Sequence, residues 1–391
     1  MMRLFSEGFR IFFAAAVAFG LVAMLWWLGW WGGLFPDLPT PLAPMQWHAH
    51  EMIFGYGGAV LAGFFMTAVP NWTGAKGAPA RFLGTVFAVW LLGRVAMASG
   101  SPAFAALADL AFVPILAAKI AAQLMKSPKP QQMIFLLALA LIWTANLFFH
   151  LEALGLIADG IEPGLRAGLL GLVAMILILG GRVTPGFTRN AMVASGREDR
   201  LPRNPAPLAV ISAAPALALL PVVLLGGPDW LVAALSAVAG WVALIRLAMW
   251  QGLWTRDKPI LWTLHLSYGF AGIGLLAFAA AALGKLPELS ALHVLGIGAV
   301  GGMTVSVLTR ASLGHSGRPL IAPRPVVLAY ALMPLATLAR CAAAEYQAAA
   351  VPGTLIAGAL WIIAFTLVLV TFWPVWTQPR APRAPVRAPP Q

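Results

Sequence analysis

The chain contains one cysteine, Cys341, among 391 residues, which excludes an internal disulfide and any metal site built from several thiolates. Charge is scarce too: Asp, Glu, Lys and Arg make up 10% of residues against 61% hydrophobic ones, at a mean hydropathy of +0.86. A soluble fold needs a wetted surface, and this composition cannot supply one. Several chemistries also lack their signatures. There is no GxxxxGK[ST] phosphate loop, no HExxH zinc helix, no CxxCH haem attachment and no serine elbow, so any haem must be non-covalent.

What fills the sequence instead is a series of apolar runs of about 18 to 25 residues, each long enough to cross the roughly 30 Å of hydrocarbon in a bilayer. About twelve can be read, near 9–31, 48–70, 80–99, 103–125, 130–155, 164–182, 206–226, 229–253, 259–283, 289–311, 323–345 and 352–376. Barrel strands would alternate in polarity, and these runs do not, so they are helices. The expected fold is all-α, a polytopic membrane helix bundle of about 12 transmembrane helices in a single domain over 1–376. A basic, Pro-rich cytoplasmic tail over 377–391, ending QPRAPRAPVRAPPQ, is expected to be disordered. The first run is too long for a signal-peptide core and lacks a convincing cleavage site, so it is expected to be a retained span.

The formal net charge of +12 invites a nucleic-acid reading, but the basic residues sort by loop. Arg3 and Arg10 precede span one, Lys76 and Arg81 follow span two, and Lys119, Lys126 and Lys129 surround the next even break. Arg182, Arg189, Arg197, Arg200 and Arg203 follow span six, Arg256 and Lys258 span eight, Arg310, Arg318 and Arg324 span ten, and Arg380, Arg383 and Arg387 end the chain. The opposite loops hold little beyond Arg166 and Lys285. By the positive-inside rule both termini are cytoplasmic, and no nucleic acid is implied.

Spans two, six and ten share a pattern. His50 precedes Gly55 by five residues, as His293 precedes Gly298 and Arg166 precedes Gly171. Pro70 and Thr73 in VPNWTG resemble Pro185 and Thr188 in TPGFTRN. The pattern divides the chain into three four-helix pseudo-repeats, with the second helix of each facing the centre. Close packing of small residues in any membrane bundle would also enrich glycine.

The topology sorts the six histidines. His48, His50, His150 and His293 fall toward the outer face, and His265 and His315 toward the inner one. Ionisable groups within a bilayer normally face a bundle interior, a cavity or each other, and neutral imidazole is a common ligand for haem iron and copper. His48 and His50 lie two residues apart, about 200° around a helix, so a regular helix would aim them at different partners. Interfacial snorkelling is the alternative for any one of them. Glu51 can orient an imidazole, and Met52 is expected to pack. Arg94 and Asp109 both sit toward the outer face and can pair, while Glu152 and Arg340 also need partners. Such arginines would suit haem propionates or structural ion pairs. Arg246 is expected to snorkel.

The strings SEGFRIFF, WHAHEMIFGYGGAVLAGFFMTAVPNWTG, GGRVTPGFTRN, WTLHLSYG and ALHVLGIGAVGGMTVSVLTRASLGHSGRP resemble the NnrS family of bacterial membrane proteins over nearly the whole chain. The resemblance implies a twelve-span inner-membrane protein of the nitric oxide and nitrosative-stress response, often accompanying denitrification and containing haem and copper. With that prior, a non-covalent, b-type haem is expected between His50 and His293, with the neighbouring glycines admitting the macrocycle and Arg94 and Arg340 placed for its propionates. His48, with His150 or Glu51, is expected to bind copper or to orient the haem ligand, and His265 with Tyr268 to form a separate inner site. The three-by-four architecture is similar to the haem–copper oxidases, but their adjacent HH pair and HxxxY pattern are absent, so oxygen chemistry does not follow.

The function that the resemblance implies, with the histidines as its site, is the binding or turnover of nitric oxide, or removal of nitrosylated iron species, near the outer face. As an oxidoreductase the protein would need an electron donor that the sequence does not identify. The alternatives are a permease using the histidines as a transient copper or iron path, and a scaffold that docks a cytoplasmic partner on loop 182–203 and the tail.

Overall fold

The computed structural model of the protein describes residues 3–126 and 128–381. Twelve helices among them are long and apolar enough to cross a membrane: α1 (Gly8–Trp31), α2 (Pro44–Thr73), α3 (Ala80–Met97), α4 (Pro102–Leu124), α5 (Gln131–Ala153), α6 (Ile161–Ala194), α7 (Ala206–Leu224), α8 (Asp229–Ala248), α9 (Pro259–Ala282), α10 (Glu288–His315), α11 (Arg324–Glu345) and α12 (Gln347–Thr377). No strand occurs among the described residues. Of the expected tail, Ala381 N donates to Ser316 O at 2.8 Å, and 382–391 lie outside the described residues.

Helices α2, α6 and α10 form the centre. α6 is the most enclosed, with 83% of its apolar stretch buried, and α2 and α10 follow at 67%. The three touch one another, and each packs against its sequence neighbours. Outer helices close a ring around them through the pairs α4–α5, α8–α9 and α12–α1. The chain thus forms three groups of four, each with its second helix inside. Small residues permit the close approaches: a Cβ on Gly240 of α8 would lie 2.8 Å from Gly272 O of α9.

The same three central helices each contain a π-helical stretch, at Glu51–Tyr56, Ile176–Gly180 and Val294–Gly301. Such widened turns leave backbone carbonyls short of partners and recur at functional sites. In α6 the deficit is met from α8. Arg246 donates to Leu177 O at 3.2 Å and Gly181 O at 2.9 Å, and its remaining hydrogen bonds go to Ser212, Tyr268 and Asn204. Arg246 is 1% exposed, so it does not snorkel as its position near a helix end suggested.

Proline shapes α4. Pro114 has no N–H for the carbonyl four residues back, and the helix is broken at Ala111. The indole of Trp143 on α5 donates to that orphaned Leu110 O at 3.0 Å. Asp109 sits just before the break, with its side chain turned into the bundle.

The ring closes at the chain ends. Arg10 of α1, 3% exposed and paired with Glu7 at 2.8 Å, donates to the carbonyls of Val375, Trp376 and Gln378 at the C-terminal end of α12. Those carbonyls lack helical partners and form the negative end of the helix dipole. The SEGFR string is thereby explained as a cap on the last helix.

Candidate cofactor cavity and buried histidine cluster

Helix α2 begins at Ala43 and Pro44 and is regular through His50 before widening at Glu51. In a regular helix two residues turn about 200°, and the imidazoles diverge accordingly. His48 faces a cavity, whereas His50 faces a closed polar cluster on the other side of α2.

The cavity has a volume of about 390 Å3 and is walled by α1, α2, α6, α10, α11 and α12. His48 and His293 line it with Arg340, and Tyr56 and Trp361 lie deeper, their ring centroids 5.8 Å apart. His48 lies against Trp27, with centroids 4.4 Å apart, and its Nδ1 is buried without a hydrogen-bond partner among the described residues. His293 Nδ1 is 2.7 Å from Leu289 O. A carbonyl only accepts, so Nδ1 carries the proton and the lone pair of a neutral ring resides on Nε2. At the rim, Arg166 of α6 grips Glu288 of α10 through two hydrogen bonds, at 2.5 and 2.8 Å.

The cluster joins α2, α3, α4 and α5. His50 Nδ1 meets Glu51 Oε1 at 2.9 Å; its Nε2 meets Asn146 Oδ1 at 3.0 Å and Asp109 Oδ2 at 3.3 Å. His150 Nε2 lies 3.1 Å from the same Asp109 oxygen, and Asn146 Nδ2 donates to it at 2.6 Å. Arg94 donates to Glu51 Oε1 at 2.5 Å and pairs with Asp109 Oδ1. Every one of these side chains is buried. His50, Asp109 and His150 offer donor atoms within 4.8 Å of one another, a grouping suited to a metal ion.

Several expected partnerships are drawn differently in space. His50 and His293 do not share a site: His293 is on the cavity wall with His48, and both ring nitrogens of His50 are engaged in the cluster. Arg340 lines the cavity, but Arg94 is held by Glu51 and Asp109, the structural ion pair being the alternative that occurs. His48 is likewise apart from His150. The glycines five residues on admit protein rather than a macrocycle: Gly55 abuts Arg94, Gly171 abuts Ile142 and Gly298 abuts Phe270. Glu152 accepts from the N–H groups of Gly160 and Ile161, at 2.5 and 2.6 Å, and so caps the start of α6.

At the opposite end, His265 Nε2 meets Thr188 Oγ1 at 2.8 Å, while Tyr268 accepts from Arg246 at 2.8 Å. Trp250 lies between the two rings, 6.3 and 4.5 Å from them. His315 packs on Phe9. Sequence reasoning did not single out Asn146, although it precedes His150 by four residues and so shares its helix face. Trp27 and Glu288 carry no comparable signal.

No curated protein matches the chain. The family model described as NnrS protein matches residues 3–380, and the chain belongs to that family.

Proposed function

We propose that the protein serves the nitric oxide response of the bacterial inner membrane, holding a non-covalent, b-type haem in the cavity and using it to bind or turn over nitric oxide or to remove nitrosylated iron species. The observation that carries this is that His48, His293 and Arg340, from three helices, line the same cavity. The residues fit the group. A volume of about 390 Å3 lies within the roughly 300–1,000 Å3 usual for ligand sites. The hydrogen bond to Leu289 O leaves His293 Nε2 as a donor for iron, and Arg340 matches a propionate.

When bound, the haem supplies one-electron redox chemistry and a position for nitric oxide. The protein's own contributions are distinct. Trp27 fixes the plane of His48, Leu289 O fixes the tautomer of His293, and the Arg166–Glu288 bridge ties α6 to α10 at the rim. The apolar walls limit water. Copper, the second group of this reading, requires imidazoles other than the cavity pair. Turnover requires an external electron donor. The sorting of basic loops supports cytoplasmic termini and a cavity at the outer side.

A reduced-minus-oxidised spectrum of freshly purified protein, taken with and without nitric oxide, is the test. A Soret band that shifts on gas addition is expected, and its absence would sink the reading. Met24, Met45 and Met52 line the cavity beside the histidines, and thioether with imidazole suits copper passage. That favours the metal-permease alternative, for which copper uptake into proteoliposomes should fall in His48→Ala.

A further inference from the structure

We infer that His50, Asp109 and His150 hold a single transition-metal ion, copper being the best chemical match, in a chamber separate from the cavity. The inference says where the copper of the preceding reading resides, and it stands or falls independently of the haem.

Geometry comes first. Asp109 Oδ2 lies 3.3 Å from His50 Nε2 and 3.1 Å from His150 Nε2. Ligands bound tetrahedrally at about 2.0–2.1 Å sit about 3.3 Å from one another, which these two separations match; Asn146 Oδ1, 3.0 Å from His50 Nε2, turns aside when an ion enters. The three donors come from α2, α4 and α5, and two of them, His50 and Asp109, are oriented by a neighbour. Glu51 holds Nδ1 of His50, leaving Nε2 inward; Arg94 occupies Oδ1 of Asp109, leaving Oδ2 inward; Asn146 braces that same Oδ2. An acceptor on the far nitrogen of an imidazole is the usual support for a metal-bound histidine.

Charge points the same way. Two buried carboxylates, Glu51 and Asp109, face one guanidinium, Arg94, so the cluster holds more carboxylates than side-chain cations to pair with them. All partners of His50's ring nitrogens are oxygen acceptors, as a cation at this place requires. Glu51 Oε2 is also buried with no partner among the described residues. Cu(I) supplies a single charge and accepts imidazole ligands, and Cu(II) heads the affinity order of divalent ions for such donors. Phe54 and Phe149, with ring centroids 5.0 and 4.5 Å from His50, wall the site from lipid and water.

The rival occupant is a proton on His50, and metal analysis separates the two. Full-length protein is purified in detergent after growth with added copper, and copper, zinc and non-haem iron are measured against protein and haem. Equimolar copper is expected. In Asp109→Asn and His150→Ala it should fall by about ten-fold or more, at unchanged haem content and elution volume. In His48→Ala the haem should fall and the copper should stay. Wild-type protein that takes up none of these metals overturns the inference in favour of the proton, whatever the haem spectrum shows. Copper that persists in both cluster variants overturns it too, by placing the ion elsewhere. Should the variants fail to fold, pulsed EPR of oxidised wild-type protein decides: coupling from two imidazole nitrogens is expected, and its absence refutes the assignment.

Discussion

His48 and Trp27 lie face to face, ring centroids 4.4 Å apart and planes 14° from parallel, so the imidazole entering the cavity has its orientation set by an indole of α1. Trp27 in turn stacks on Trp30 at 5.4 Å. An aromatic pair of this kind contributes about 0.5–1.5 kcal/mol beyond its buried area. Trp27→Leu is therefore expected to weaken haem retention by roughly two- to ten-fold without moving the Soret maximum. Haem transfer to an apo-globin acceptor measures it, and an unchanged rate would show that Trp27 does not hold His48.

Among the described residues Arg94 is the sole guanidinium facing Glu51 and Asp109. Breaking a buried pair by removing one partner costs about 3–5 kcal/mol because the other charge is stranded. Arg94→Met should accordingly lower the thermal midpoint in detergent more than any other cluster substitution. Adding Glu51→Gln to it should recover part of the loss, since fewer charges are then left unmatched. A double variant no more stable than the single one would count against this account.

At the other end of the bundle Arg246 has no carboxylate partner among the described residues, only neutral acceptors. Arg246→Met strips its donor from the carbonyl of Leu177, while Gly181 O keeps Asn204 Nδ2 at 2.8 Å, and should cost about 1–3 kcal/mol. Lysine cannot span the same set of acceptors, so Arg246→Lys should restore less than half. Hydrogen exchange over 176–181 is the readout, with faster exchange expected in both variants.

The Arg166–Glu288 bridge is about one-third exposed on each side, at 33% and 36%. Pairs so open to solvent contribute about 0–1 kcal/mol, so Glu288→Gln should leave the melting temperature almost unmoved. Its expected effect is kinetic: faster exchange of bound ligand through the loosened rim, visible by stopped-flow mixing. A large drop in stability with unchanged exchange would contradict a rim latch.

Much of this was legible in advance, for physical reasons. Span number follows from run length, and the divergence of His48 from His50 follows from helical angle. The proximity of Arg94 to Asp109 followed from both lying near one end of neighbouring spans. Partners across the bundle were not legible. Equal spacing to a glycine aligned His50 with His293, yet spacing along a helix says nothing about which wall a side chain faces. Arg246 was misread because its binding site is the pair of carbonyls freed at the π turn of α6, and no residue pattern announces that turn. The same helix runs to Ala194, well past the expected 182, because the polar stretch RVTPGFTRN stays helical beyond its apolar part.

The cap that Arg10 places on α12 joins α1 to the twelfth of the described spans. During synthesis the guanidinium has Glu7 alone until some 360 further residues have emerged, 365 separating it from Val375. The bundle is therefore a circle that only its last helix can complete. A chain cut short before Val375 keeps the Arg10–Glu7 pair but none of the three carbonyls, so a cation built for burial is left with one partner in place of four.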